Sequence, residues 1–259
     1  MGETTYSIRV LKVGGEVCPS SSVFWNDRFG KWTELNYYAA VIQGGGHTIL
    51  LNSGLPADFS FYAQFTQDWC AQASVSRSEE DKIENRLGQI GIAPDHVDTM
   101  IFTPLTVYTA GCLGSFSKAR YWLSRRVWLD YWAPDPFDLQ LPRDLIFPPE
   151  SLTCLVGEGR PRIGWLDEEG EILPGLEYFW TGGHHRSSLA YLIRTSIGIV
   201  GFADCCFTYE NLEKKIPIGL AESYRECLIA YDRLQRSADV VIPLYDPEVF
   251  HRHPEGRVA

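Results

Sequence analysis

The sequence predicts an α/β protein in which two β-sheets pack face to face and helices cover their outer faces. Strand-like and helix-like segments alternate along the chain. The 259 residues, 45% of them apolar, are enough to bury a large core. A layered fold buries one face of each element against the next layer. We therefore expect a single domain over residues 1–259, with its core at about 5–253.

The first half predicts antiparallel strands followed by a helix. Residues 6–13, 36–43 and 47–54 are rich in β-branched and aromatic side chains, and the three glycines 44–46 predict a hairpin turn. Residues 78–91 predict a helix whose N-cap is Ser78, with apolar side chains on one face.

The middle of the chain predicts a strand over 96–103 and a passage from strand into helix over 120–132. The proline-rich segment 133–150 predicts a connection that bends over the molecule as a lid. A helix over 220–234 has an apolar stripe and precedes a last strand, 239–244. Between these segments lie five predicted strands, at 162–167, 171–173, 176–182, 188–195 and 198–204.

The charge of the chain limits its partners. A formal net charge of -10, without blocks of like charge, argues against nucleic acid or an anionic membrane and favours a small molecule or another protein. The N-terminus lacks a signal peptide and no apolar run is long enough to span a membrane, so a cytoplasmic location is expected. The 7 cysteines lack CxxC spacing, which is typical of reduced thiols.

Polar residues follow three buried strands, where sites on layered folds collect. Asp204 ends the apolar run "GIVGFA", and a buried carboxylate needs a partner. His184 and His185, read alone, are more often a hydrogen-bonded loop pair than metal ligands.

Together these segments resemble the metallo-β-lactamase superfamily and, within it, the N-acyl homoserine lactonases. Residues 40–56 resemble the strand pair that ends in an Asp-Thr-Gly turn, and 78–111 the helix and His-x-His-x-Asp-His loop. Residues 171–193 are similar to the Pro-Gly-His stretch, 198–212 to the strand with the bridging Asp, and 239–247 to the strand with the last His. The resemblance implies a metallo-β-lactamase-type αββα sandwich of two mixed sheets, and a homodimer as in many members of the family.

The metal ligands of that family do not carry over. Of its seven ligand positions, only the fifth and sixth keep a ligand, as His184 and Asp204. Proline has no donor atom, threonine is a poor zinc ligand and a phenol is rarely recruited at neutral pH, so we expect no metal and no other cofactor. The replaced positions hold Pro104, Thr106, Tyr108, Thr109 and Tyr245.

Two positions near the metal ligands also differ from the pattern of the family. Asn52 stands where the turn aspartate of the family orients a ligand histidine. Phe207 stands where the lactonases place a tyrosine after the bridging Asp. Because ligands, their supports and the phenol have changed together, metal-dependent lactonase activity is not expected.

The leading hypothesis is a metal-independent, hydrolase-like or lyase-like enzyme acting on a small, partly apolar carbonyl compound such as a lactone, ester, amide or cyclised metabolite. His184 would be a general acid or base tuned by Asp204, with Tyr245 or Tyr108 as proton donor or oxyanion partner. The substrate would be bound by the other residues at the cavity mouth, which are Thr103, Thr106, Thr109, Cys112, His185, Cys205 and Phe207.

Other readings stay open. The chain could be a pseudoenzyme that binds a ligand or a partner protein without catalysis. A single metal between His184, Asp204 and His185 would have too few ligands. Cys112 or Cys205 could be a nucleophile if it lay near His184, although Cys is also a good small core residue. A His184 ring nitrogen within hydrogen-bond reach of Asp204 and facing an open cavity would favour the enzyme over the binder, whereas aromatic side chains filling that cavity would make the enzyme hypothesis fail.

Overall fold

The computed structural model describes residues 3–134 and 141–259. Its strands form two mixed sheets, which confirms the predicted fold class. The strands of the first sheet are β1 (Ser7–Pro19), β2 (Trp32–Gly44), β3 (His47–Leu51), β4 (Ser74–Ser76), β5 (Thr99–Ile101), β6 (Arg120–Ser124) and β7 (Ile163–Leu166). Their spatial order is β4-β1-β2-β3-β5-β6-β7.

The second sheet contains β8 (Glu169–Leu173), β9 (Leu176–Trp180), β10 (Leu189–Thr195), β11 (Gly198–Ala203) and β12 (Val240–Pro243). Its spatial order is β12-β11-β10-β9-β8. The helices are α1 (Ser20–Val23), α2 (Ser60–Trp69), α3 (Ile83–Gln89), α4 (Arg125–Trp132), α5 (Arg143–Ile146), α6 (Pro149–Val156), α7 (Tyr209–Lys214), α8 (Tyr224–Ser237) and α9 (Val249–Arg252).

Parallel pairing brings several strand ends to one edge of the first sheet. β2 and β3 form the predicted hairpin, with Gly45 and Gly46 at positive φ in its turn. β3 then pairs with β5, and β5 with β6, in parallel. Since parallel strands end at the same edge, the segments after β3 and β5 lie side by side.

The two sheets are joined through a buried tyrosine. The hydroxyl of Tyr191, on β10, donates to the carbonyl of Phe102 at 2.9 Å and accepts from its backbone N–H at 3.2 Å. Phe102 directly follows β5, so this pair links the middle of the second sheet to the edge where the first sheet carries its polar strand ends.

Two predicted helix starts were wrong. Ser78 accepts from the backbone N–H of Asp81 in a turn, and α3 begins only at Ile83. α8 begins at Tyr224 with Ser223 as its N-cap, which places Leu220 before the helix. Local side-chain to backbone bonds closed a turn at Ser78 instead of starting a helix.

The predicted lid lies partly outside the described residues, because 135–140 belong to it. Its described remainder contains α5 and the first turn of α6. Within 3–134 and 141–259, no helix is long and apolar enough to cross a membrane.

Candidate functional site

Asn52 ties together the ends of β3 and β5. Its side-chain oxygen accepts from the backbone N–H of Thr103 at 3.0 Å, and its amide donates to the Thr103 carbonyl at 3.2 Å. Asn52 has a φ of 61°, a conformation that asparagine tolerates better than most residues. The position therefore has a structural use that needs no metal ligand.

Asp204 is fully buried at the end of β11 and is surrounded by hydrogen-bond donors. The hydroxyl of Thr103 lies 2.6 Å from Oδ1, and the hydroxyl of Ser188 lies 2.6 Å from Oδ2. His184 Nδ1 lies 3.1 Å from Oδ2. These partners supply the compensation that a buried carboxylate requires. We call Thr103, Ser188, His184 and Asp204 the Asp204 network.

His184 is neutral in this network. Burial, followed by the neighbouring His185, lowers the pKa of His184 to about 4, although Asp204 acts in the opposite direction. Because the carboxylate accepts a hydrogen bond, the ring proton lies on Nδ1 and Nε2 keeps its lone pair.

Aromatic rings close over His184. Its ring centroid lies 4.0 Å from that of His185, 4.8 Å from Phe207 and 6.5 Å from Tyr245. Only 6% of His184, 3% of Phe207 and 4% of Tyr245 are exposed. The sequence led us to expect an open mouth here, whereas these side chains pack edge to face and fill it.

Tyr108 belongs to a stack of tyrosines. Its ring centroid lies 5.0 Å from Tyr37 and 5.9 Å from Tyr62. Burial raises the pKa of Tyr108 and of Tyr245, so both phenols stay protonated at neutral pH and can donate but not accept a catalytic proton. The Tyr245 hydroxyl is buried and has no hydrogen-bond partner among the described residues.

The structure turns several expected substrate contacts inward. The Thr109 hydroxyl lies 2.5 Å from the carbonyl of Pro104 and accepts from the N–H of Thr106 at 3.0 Å. The Thr103 hydroxyl hydrogen-bonds to Asp204. These hydroxyls therefore close the loop on itself and do not line open space.

The thiols of Cys112 and Cys205, the two candidate nucleophiles, hydrogen-bond to other groups. Cys112 Sγ lies 3.1 Å from the carbonyl of Leu55, and burial raises its pKa to about 12. The pKa of Cys205 is raised by a hydrogen bond with Cys206 and by burial. A thiol that stays protonated is a poor nucleophile, so neither cysteine is suited to that role here.

A pocket opens beside the filled position and has His185 at its polar end. Thr106, Ser187 and Glu222 line this end, while the rest of the lining combines apolar side chains with the charged Asp130 and Arg143. The apolar wall residues include Leu105, Val127, Tyr131 and Ile146. We call it the His185 pocket. Its cavity volume is about 80 Å³, smaller than the roughly 300–1,000 Å³ of a drug-sized ligand site, so an acyl compound would bind only if the walls moved apart.

Glu222 is the residue of this pocket that the sequence did not predict. Its Oε1 lies 3.8 Å from His185 Nδ1, and its Oε2 accepts from Arg186 Nε at 2.8 Å. Burial acts to raise the pKa of Glu222, but the neighbouring His185 and Arg186 outweigh it and lower the pKa. Glu222 stands 37 residues after His185, and no local motif marks the pairing.

Comparisons with known proteins agree with the fold. An N-acyl homoserine lactonase from Bacillus cereus is 26% identical over 228 residues, covering 86% of this chain and 83% of the relative. Another from a Bacillus species is 25% identical over 231 residues, with the same two coverages. The structure of an N-acyl homoserine lactone hydrolase with N-hexanoyl-L-homoserine at its catalytic metal center superposes with a TM-score of 0.77 over 97% of both chains, at 19% identity.

This chain has the metallo-β-lactamase fold and is similar in sequence to the N-acyl homoserine lactonases. The hydrolase AbOPH of the beta lactamase superfamily superposes with a TM-score of 0.70, at 16% identity, over 99% of this chain and 92% of AbOPH. No family model matches the sequence.

The side chains of this lactonase relative do not fit a dinuclear metal centre. The position of the histidine loop presents a proline, two threonines, of which Thr109 bonds to the Pro104 carbonyl, and the stacked Tyr108. In the part of the chain that the structure describes, no three His, Cys, Asp or Glu side chains form a group that could hold a metal ion. The Asp204 network instead satisfies Asp204 with protein hydrogen bonds.

Proposed function

We propose that this lactonase relative is a metal-independent, hydrolase-like enzyme that acts on a small, partly apolar carbonyl compound in the His185 pocket. The observation that carries the proposal is the pocket itself, whose apolar wall ends at His185 and Glu222 beside the Asp204 network. An acyl chain would be buried against the wall while a lactone, ester or amide group met the polar end. The relatives are named for N-acyl homoserine lactones, which combine these two parts.

The Asp204 network gives this pocket a rigid floor. His184 is held by Asp204 and stacks on His185 at a centroid distance of 4.0 Å. Buried, fully bonded groups of this kind support a site from behind. The catalytic roles of His184, Asp204, Tyr108 and Tyr245 stay predictions, and their burial favours a supporting part for them.

The proposal is tested with N-hexanoyl-L-homoserine lactone and with p-nitrophenyl butyrate. We expect turnover that EDTA does not change, measured by release of the ring-opened acid or of nitrophenol, in protein whose metal content has been determined by elemental analysis. A rate abolished by EDTA and restored by added zinc would contradict metal independence.

A second candidate, a pseudoenzyme that binds a ligand or a partner, is favoured by the aromatic closure over His184. It predicts that the same lactone or its ring-opened acid binds in calorimetry while no hydrolysis occurs. Turnover by the wild-type protein that is absent from the heat-denatured control argues against this candidate.

The remaining expectations about the whole chain belong to the proposal as well. A cytoplasmic protein fits the reduced state expected for its cysteines, and homodimerisation fits the resemblance to the lactonases. A small-molecule partner follows from the His185 pocket.

A further inference from the structure

We infer that His185, and not the neighbouring His184, is the general acid–base residue of this protein, with Glu222 as the group that orients it. The inference rests on the proposed function and deepens it. The two histidines are adjacent in sequence but differ in surroundings: His184 is sealed under aromatic rings, whereas His185 lines the His185 pocket. A general base must be able to reach the proton that it removes.

The loop before His185 is clamped to the start of α8. The N–H of Gly183 donates to Glu226 Oε2 at 3.0 Å, and the Gly183 carbonyl accepts from the N–H of Ser223 at 3.1 Å. A Cβ on Gly183 would lie 2.7 Å from the sulfur of Cys227, so only glycine allows this approach. The clamp sets His185 opposite Glu222, the residue just before the N-cap of α8.

The backbone of His185 is fixed from the other side too. Its N–H donates to the Ser188 hydroxyl at 3.0 Å, and that hydroxyl also lies 2.6 Å from Asp204. The backbone of His185 is therefore tied to the Asp204 network. A catalytic group needs this kind of second support to hold its geometry.

The charges around His185 favour one tautomer. Glu222 faces Nδ1 and bridges to Arg186, which also contacts Glu226. An ionised carboxylate at Nδ1 keeps the proton there and leaves Nε2 free to accept. The separation of 3.8 Å is an ion-pair contact, longer than the hydrogen bond by which a carboxylate usually orients an imidazole base.

The Nε2 side of His185 faces the protonated phenol of Tyr108 at 3.4 Å. This contact is long enough to be exchanged for a water or for an oxygen of the substrate. The His184 ring packs against the His185 ring at an angle of 37°, and the pocket lining adds the charged and titratable groups Asp130, Tyr131 and Arg143.

The step that follows is a hydrolysis in which atoms and charges balance. His185 Nε2 takes a proton from water while the water oxygen bonds to the carbonyl carbon and the carbonyl electron pair moves to oxygen. The tetrahedral intermediate then reforms the carbonyl and breaks the bond to the leaving oxygen or nitrogen. The imidazolium returns its proton to that leaving atom, so the net change is the addition of one water.

The test compares two adjacent histidines and a distant one. Rates on N-hexanoyl-L-homoserine lactone in EDTA are measured for His185→Gln, His184→Gln and His251→Gln, the last exposed on α9. We expect His185→Gln to lower kcat by about 10²–10⁴-fold with a small change in KM. His251→Gln should match the wild type, and His184→Gln should keep most of kcat per folded molecule.

Chemical rescue separates an acid–base role from a structural one. Imidazole added to His185→Ala should restore part of the rate, because free imidazole can accept and return the proton in place of the side chain. Glu222→Gln should lower kcat with little change in KM. A purely structural role of His185 predicts no rescue.

The outcomes distinguish the inference from the proposed function. If the wild type hydrolyses a probe and His185→Gln keeps more than half of that rate, the inference is overturned while the proposed function stands. A rate lost in His184→Gln but kept in His185→Gln overturns it in favour of His184. If the folded wild type hydrolyses neither probe, both fail.

Discussion

At the scale of single residues, the buried Asp204 is held by hydrogen bonds from protein side chains. Asp204 was expected from its sequence position to need a partner, and it has three, one of which is His184. That pairing could be predicted because a carboxylate after an apolar strand is costly when alone. The closure by Phe207 and Tyr245 could not, since it depends on how side chains from separate strands pack together.

His184 makes the stability of the protein depend on pH. Its pKa is lowered to about 4 in the folded state, against about 6.5 in an unfolded chain. Protonation therefore favours unfolding, so this contribution is complete above about pH 6.5 and is lost as the pH falls towards 4. The loss is at most about 3 kcal/mol.

Urea unfolding of the wild type and of His184→Gln at pH 7 and at pH 4.5 measures this effect. The free energy of unfolding of the wild type should fall more between these values than that of the variant, because carboxylates that titrate in both proteins cancel in the comparison. An equal fall in both would mean that His184 is not held neutral.

Replacement of the Asp204 carboxyl should destabilise the protein strongly. Asp204→Ala leaves His184 Nδ1 and the hydroxyls of Thr103 and Ser188 without this acceptor, at a cost of about 3 kcal/mol or more. Thermal unfolding should show a clearly lower Tm, whereas Asp68→Ala, on the exposed side of α2, should leave it nearly unchanged. A Tm lowered equally in both would contradict the network.

At the scale of elements, strands were easier to predict than helix ends. β10 and β11 follow directly from their β-branched and aromatic runs. The start of α8 depends on Ser223, whose hydroxyl accepts from the N–H of Glu226, and several polar residues nearby could have served instead. The partnership of Glu222 with His185 was out of reach because it joins the start of α8 to a loop 37 residues earlier.

The contact between this loop and α8 can be tested with two glycines. Gly183 and Gly46 both have positive φ, 77° and 83°. A Cβ added at Gly183 would lie 2.7 Å from the Cys227 sulfur, whereas a Cβ added at Gly46 would have no atom within 4 Å. Gly46→Ala should cost about 1 kcal/mol for its backbone conformation alone. Gly183→Ala should cost more, as seen in denaturant unfolding.

Cys227→Ala added to Gly183→Ala should recover part of the extra loss, because it removes the sulfur that the new methyl group meets. If the two glycine variants unfold at the same denaturant concentration, the loop is not pressed against α8 as closely as the structure indicates.

For the whole molecule, the fold was predicted from the order of the strands and helices along the chain. Two mixed sheets were expected from the alternation of segments and are found, because each amphipathic element must bury its apolar face against another layer. The position of open space was not expected correctly: the sequence placed it over His184, and the structure places it beside His185. Which side of a loop stays open is decided by packing, and the sequence pattern does not contain that information.

The rings over His184 also constrain any attempt to engineer metal chemistry back into this scaffold. Returning histidines to the loop after β5 would supply donor atoms, but Phe207 and Tyr245 already pack against each other and against His184, the imidazole that would have to join them. Smaller side chains at both positions would have to come first. Variants on the way to a metalloenzyme would therefore contain a cavity in the centre of the site. Such a cavity lowers the stability of the protein until a bound ion stabilises it again.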